Sequence, residues 1–378
     1  MKILLVGEYS RLHNSLKEGL VALGHQVTII ATGDYWKNYP ADIKLKRTYD
    51  QGLGKKLKVG VYKLFNIDIT SLDLRRQFYS QKENLEGYDV VQLINESPFG
   101  LTPAIEMELI GFLKKHNKKL FLLSCGTDYL SVKYQLSDAL PYSIMSELKN
   151  GSASKEDFRF ILKYTKERYR QLHEFVYGQI NGVIASDLDY HLPLKDHPSY
   201  LGLIPNPVNT DKIADSQPQP EGRINIFLGI NRSAYHTKGI RYFDEALEKI
   251  SAKYGDSISI EVVENLPYDT YIEKYNKAHI LLDQVLGCDQ GYNALEAMAK
   301  GKVVFTGAET IFTEYYKLEK PVAINALPDS EAIAAELERL ILNPRLIAEI
   351  GANAREFILQ HHQYQKVAES YVNLWNRN

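Results

Sequence analysis

Apolar residues along this chain fall into short runs separated by longer stretches of mixed polarity, and the rhythm repeats in both halves. Lys2 to Gly7 (KILLVG) predicts a short buried strand, residues 11–23 a helix, and Gln26 to Ala31 (QVTIIA) a second strand. Gly24 fits the position just past a helix end. Strand, helix and strand in so few residues make a βαβ unit, which implies a parallel sheet with a right-handed crossover. Further strands are expected at 88–94 (YDVVQLI), 118–125 (KKLFLLSC) and 182–186 (GVIAS). A single long helix is expected over 155–177, carrying Phe158, Ile161, Leu162, Tyr169 and Phe175 as core contacts.

The stretch 203–209 (LIPNPVN) interrupts this pattern. Two prolines fix φ and remove donors, so an extended connector is expected there, followed by a surface loop at 215–222 (DSQPQPEG). The alternation then restarts: strands at INIFLGI, SISIEVV, HILLDQV, KVVFTG and PVAINA, with helices near 239–253, 268–278, 291–300, 329–342, 344–359 and 364–375. With the boundary near Asn206, the expected organisation is an N-terminal domain 1–205, a C-terminal domain 206–360, and a closing helix 361–378 able to return to the first domain. The fold class is α/β: two doubly wound Rossmann-like domains, with a ligand cleft expected between them at the carboxyl ends of the strands.

Composition narrows the function. At 44% hydrophobic and 24% charged, the 378 residues suit a folded protein with two cores. A formal net charge of -2 gives no global basic field, so nucleic acid is not an expected partner. Cys125 and Cys288 are far apart and suit a reducing compartment better than a disulfide framework. The opening MKILLVGEYS is too short for a signal core and no apolar run is long enough to span a bilayer, so a cytoplasmic location is expected.

Some chemistries lack their motifs. A single glycine, Gly7, stands directly after the first strand and no G-x-G-x-x-G follows; neither a P-loop motif nor H-E-x-x-H occurs, and no metal site is expected. The second half is richer. Gly229 to Ile240 (GINRSAYHTKGI) leaves a strand with Arg232 and Lys238 and enters a helix at Gly239. Cations at a helix start are unfavourable unless an anion joins them, and a phosphate would. Without other evidence they read as ordinary surface cations in a solvated loop. Downstream, Leu286 to Phe305 (LGCDQGYNALEAMAKGKVVF) places Gly291 at a helix start, where Tyr292 and the following amides could meet a ligand. Glu296 stands among small apolar residues in that helix; it could accept both hydroxyls of a ribose or form an i, i+4 pair with Lys300.

The ordered set IPNPVNTDKI, then R…KG, then GYNALEAMAKGKVV resembles the C-terminal half of family-4-type glycosyltransferases of the GT-B fold. The resemblance covers about Val183 to the C-terminus; in the N-terminal half it is mainly MKILLVGEYS…L…GHQVTII. It implies retaining, metal-independent sugar transfer from a UDP- or GDP-linked donor to a carbohydrate or lipid-linked hydroxyl, in surface polysaccharide or glycoconjugate assembly. Arg232 and Lys238 would hold the donor diphosphate, Gly291 and the next amides would face it, and Glu296 would bind the ribose. No separate cofactor is implied. The family's other glutamate, eight residues earlier, is Cys288 here; Asp289 and Asp283 are candidates to replace it at the donor sugar.

From the first domain, the resemblance places the end of the first strand (Gly7 and the loop 8–13) and Ser124 to Tyr129 at the cleft. Asp128 could orient a sugar or form an Asx-type turn, and His13 could approach the reacting sugar or face solvent from its helix. His173 reads as structural. The Asp187-Leu188-Asp189 triplet reads as incidental. Lys44, Lys46, Arg47, Lys55, Lys56 and Lys58 form a basic run that reads as a solvated surface, with peripheral contact to an anionic inner membrane face as the alternative. The other readings carried forward are a catalytically silent nucleotide-sugar-binding subunit, a GT-B-type sugar-nucleotide epimerase and a two-lobed small-ligand binding protein.

Overall fold

The computed structural model describes residues 1–33, 39–213, 222–264 and 268–378. The loop expected at 215–222 lies, except for Gly222, outside the described residues. The chain divides into two compact units: residues 1–132, 161–207 and 364–378 form the first, and 133–160 with 208–363 form the second.

The first unit is built on a seven-stranded parallel sheet. Its strands are β1 (Lys2–Val6), β2 (Gln26–Ala31), β3 (Ile43–Lys44), β4 (Val90–Leu93), β5 (Lys119–Ser124), β6 (Gly182–Ala185) and β7 (Tyr200–Leu203). Their order is β3-β2-β1-β4-β5-β6-β7, the doubly wound pattern that reverses direction between β1 and β4. Continuous apolar runs such as Ile3 to Val6 are buried because helices cover both faces of such a sheet. The Leu12–Ala22 helix lays Leu12, Leu16 and Leu20 on the core. Against it runs the closing Tyr364–Arg377 helix, burying Val367, Ala368, Tyr371 and Trp375. Gly19 allows that approach: a Cβ there would stand 2.4 Å from the Tyr364 carbonyl oxygen and 2.8 Å from Ala368 Cβ.

At the carboxyl end of β1 the backbone turns through Gly7, where a Cβ would meet Ile94 Cγ2 at 2.3 Å. The freed Gly7 carbonyl accepts a hydrogen bond from His13 Nδ1 at 2.8 Å, and His13 Nε2 faces Gln92 Nε2 at 3.4 Å. His13 is fully buried rather than solvent-facing, and burial pulls it down to about 4.

The expected 155–177 helix is broken. A short helix Arg159–Leu162 and a 3₁₀ turn Lys163–Thr165 precede Lys166, whose ψ of 147° is extended; the helix resumes as Glu167–Tyr177. The break lies just beyond residue 160, where the chain passes from the second unit back to the first.

The second unit holds a five-stranded parallel sheet of β8 (Ile224–Ile230), β9 (Ile258–Glu264), β10 (Ile280–Leu282), β11 (Val303–Thr306) and β12 (Ile324–Asn325), in the order β12-β11-β10-β8-β9. Direction reverses between β8 and β10, so their carboxyl ends flank a switch point, where open α/β sheets bind ligands. Residues 133–160 join this unit through Glu147. That buried carboxylate meets His236 Nδ1 at 2.6 Å and Arg241 Nε at 2.9 Å, while Met145 and Phe158 are fully buried.

Two predictions follow from the first unit. Gly19→Ala should lower unfolding stability by about 1–3 kcal/mol through overpacking against the closing helix. Gly111→Ala, whose Cβ would meet only Phe175 Cζ at 3.6 Å, should leave it unchanged or raise it in the same denaturant titration. For His13, the folded value lies below the ordinary 6.5. Its neutral form therefore stabilises the fold fully above pH 6.5, and that contribution is lost as pH falls through 6.5 towards 4. The difference in stability between wild type and His13→Gln should shrink by about 3 kcal/mol across that window. A pH-independent difference would contradict the burial of a neutral ring.

Candidate functional site

The residues after β8 and β10 come together at the switch point of the second sheet. Beyond β8, Asn231 Oδ1 accepts from Ser233 N at 3.1 Å and caps a 3₁₀ turn, Arg232–Ala234. The chain continues through the four-residue helix Tyr235–Lys238 to Gly239, in the left-handed region at φ 66°, and then enters the Ile240–Tyr254 helix. A Cβ on Gly239 would lie 3.0 Å from Val285 Cβ, and Val285 N donates to the Lys238 carbonyl at 2.8 Å. The two loops are thus joined by backbone as well as by side chains.

Lys238 is where the charges converge. Its Nζ donates to Asp283 Oδ1 at 2.9 Å, and the Asp283 carbonyl lies 3.3 Å away. Asp283 immediately follows β10 and its side chain is buried. Asn293 Nδ2 reaches the same Oδ1 at 3.4 Å, and Asp283 Oδ2 is a buried oxygen with no hydrogen-bond partner among the described residues. An uncompensated carboxylate oxygen in a buried position is expensive, and it fixes this spot as one of concentrated charge.

Gly291 caps the Tyr292–Ala299 helix with extended geometry, φ -71° and ψ 163°, and as a glycine offers no side-chain cap of its own. Its open side faces Asp283 Oδ2, 3.5 Å from where a Cβ would stand. The amino end of this helix, with its positive dipole, therefore sits beside the Lys238–Asp283 pair. Ala294, Leu295, Ala297, Met298 and Ala299 are buried, whereas Glu296 and Tyr292 are half-exposed. The Lys300 ammonium donates to Asn276 Oδ1 at 2.6 Å, lies 4.9 Å from the centre of the Tyr275 ring and feels the charge of Glu296.

Arg232 is more than half exposed; its Nε pairs with Glu264 at the end of β9 at 2.8 Å, and its guanidinium stacks over Tyr235. Asp289 is buried and accepts from Gln290 N at 2.7 Å, while its carbonyl accepts from Gln284 Nε2 at 2.8 Å. Cys288 beside it is buried and forms no disulfide among the described residues. Gly307 stands against this loop: a Cβ there would be 2.4 Å from the Gly287 carbonyl oxygen. Lys238, Gly291 and Asp283 are in contact; Arg232 is held by β9 instead.

In the first unit, Asp128 forms a reciprocal cap of the Tyr129–Leu136 helix. Oδ1 accepts from Ser131 N at 2.7 Å, Asp128 N donates to Ser131 Oγ at 2.9 Å, and Oδ2 accepts from Ser124 Oγ at 3.0 Å. Burial, then the charge of Glu96, raises it to about 6. His173 Nδ1 and buried Glu96 Oε1 share a hydrogen bond of 2.6 Å, between the rings of Tyr129 and Tyr177. Glu96, unflagged by any sequence motif, is raised by burial. Gly7 and His13 are occupied by the packing described above. Among the described residues no group of three or more His, Cys, Asp or Glu side chains is gathered as a metal site would need.

Residues 230–373 match the family described as glycosyl transferase-like. No curated protein matches the sequence. Sucrose-phosphate synthase from Thermosynechococcus elongatus is similar in structure at 16% identity and a TM-score of 0.63, over 100% of this chain and 99% of that one. The Anabaena protein HepE, in complex with UDP and glucose, is similar at 13% identity and 0.59, over 99% and 98%. The UDP-GlcNAc 2-epimerase from Neisseria meningitidis, bound to UDP-GlcNAc, is similar at 13% and 0.51, over the whole of both chains. Residues 230–373 are thus similar to the glycosyl transferase-like family, and the chain is built on the GT-B fold.

Proposed function

We propose that the protein transfers a sugar from a nucleoside-diphosphate donor to a hydroxyl of a carbohydrate or lipid-linked acceptor, with retention at the anomeric carbon and without a divalent metal, in polysaccharide or glycoconjugate assembly. The observation that carries this reading is the meeting of the Lys238 ammonium and the Gly291-capped helix end on one buried carboxylate, Asp283. Cation, helix dipole and unsatisfied oxygen together make a preformed charged locus at the sheet's switch point. HepE, similar in fold, was crystallised with UDP and glucose, which supports the same class of donor.

In this reading the diphosphate lies against the amino end of the Tyr292–Ala299 helix and shares Lys238 with Asp283. Arg232 would leave Glu264 to reach the outer phosphate. Glu296 accepts the ribose hydroxyls. As the bond from the sugar carbon to the phosphate oxygen breaks, negative charge grows on the departing diphosphate, and Lys238 and the helix amides are placed to stabilise it. The nearby carboxylates Asp283 and Asp289 stand closest to the donor sugar in place of the glutamate that Cys288 replaces.

Cys288 also favours a second reading, a subunit that binds nucleotide sugar without turning it over. Turnover separates the two. Incubation with UDP- and GDP-linked sugars should release nucleoside diphosphate from one donor, with release persisting in chelator. Lys238→Ala should reduce kcat by about 10²- to 10³-fold. Glu296→Ala should act mainly through KM. Undiminished release from Lys238→Ala would contradict the proposal, and donor binding without release would favour the silent subunit.

A further inference from the structure

The Gly52–Phe65 helix (GLGKKLKVGVYKLF) has no buried residue along its 14 positions. Its underside is held to the first unit by Gly54, which lies against Thr48 and Tyr49, and by the Lys58–Asp50 ion pair at 2.7 Å. The rest faces outward. Leu53 is 81% exposed, Leu57 54%, Leu64 78% and Phe65 67%. Leu53, Leu57 and Leu64 are four and seven residues apart, so they form one stripe, with Gly60 between them. Single exposed apolar residues are ordinary, but a contiguous stripe of large ones marks a surface that meets something.

Charge identifies what it meets. The helix carries Lys55, Lys56, Lys58 and Lys63 and no acidic residue. The basic run seen in the sequence divides here. The Arg47 guanidinium serves the fold, donating to the Phe99 and Gly100 carbonyls and pairing with Asp50. Lys56 and Lys63 instead flank the apolar stripe, and Lys55 lies on the opposite, exposed side of the helix. At 14 residues the helix spans about 21 Å, too short to cross a bilayer, and no described helix is long and apolar enough to do so. A second copy docking through the same stripe would bring two sets of lysines together, which repel.

We propose that the Gly52–Phe65 helix lies in the surface of an anionic lipid bilayer, with Leu53, Leu57, Leu64 and Phe65 among the acyl chains and Lys55, Lys56 and Lys63 at the headgroups. The inference is independent of the donor site. It is tested by flotation of the full chain with vesicles of phosphatidylcholine alone and of phosphatidylcholine mixed equally with phosphatidylglycerol. Wild type should float with the anionic vesicles and be released by raised salt. The triple change Lys55→Gln, Lys56→Gln and Lys63→Gln should weaken binding on the order of a hundredfold. Leu53→Ser with Leu57→Ser and Leu64→Ser should abolish it, with thermal unfolding of both variants unchanged because these side chains are exposed. Equal binding to neutral vesicles, or no binding to either, would overturn the proposal. So would light scattering that shows oligomers dissolved by the leucine changes.

Discussion

The ion pair between Lys238 and Asp283 is the contact on which the second unit's candidate site depends. It joins the loop after β8 to the loop after β10, across the point where the sheet reverses direction. A backbone bond from Val285 to the Lys238 carbonyl repeats the link, and Gly239 makes room for it. The carboxylate is buried and only partly satisfied, so its neighbours are constrained to face it. Gly291, at the start of a helix whose other residues are mostly small and apolar, is one of them. The same geometry that holds the loops in register therefore gathers a cation and a helix dipole at one place.

Around that centre the protein uses buried acids to anchor irregular chain. Glu147 fastens residues 133–160 to the loop that carries Lys238, through His236 and Arg241. Tyr142 of the same segment donates to Glu309, which also accepts from Asn325 Nδ2 at 3.0 Å. In the first unit Glu106 accepts from Ser97 Oγ at 2.9 Å and from Leu101 N at 2.8 Å, closing the turn before the Pro103–His116 helix. Glu147 and Glu106 are buried carboxylates, expensive to place there and kept by donors that only this path of the chain supplies, while Glu309 is half-buried.

The alternating strands and helices were legible because parallel strands buried on both faces read as apolar runs, and Lys2–Val6, Gln26–Ala31 and Ile224–Ile230 are such runs. Gly291 and Glu296 were legible as a helix start and as an acid out of place, and Lys238 as a cation before a helix. Three features were not. The break at Lys166 has no proline or glycine to announce it. The attachment of residues 133–160 depends on Glu147 meeting side chains about ninety positions away, which no local period encodes. The Gly52–Phe65 helix was read only as charge, because its leucine stripe gains meaning from exposure, and exposure is a property of the folded unit. Arg232 was legible as a cation, but its partner Glu264 lies on another strand.

Calorimetric titration of the protein with UDP and with GDP measures the central claim most directly. The account predicts saturable binding of one of them, lost in Lys238→Ala, weakened in Glu296→Ala and unchanged in the exposed control Lys118→Ala, whose partner is Asp89 at the far edge of β4. Binding of equal strength in wild type and Lys238→Ala would contradict it, because the diphosphate would then be held by groups other than those gathered at Asp283.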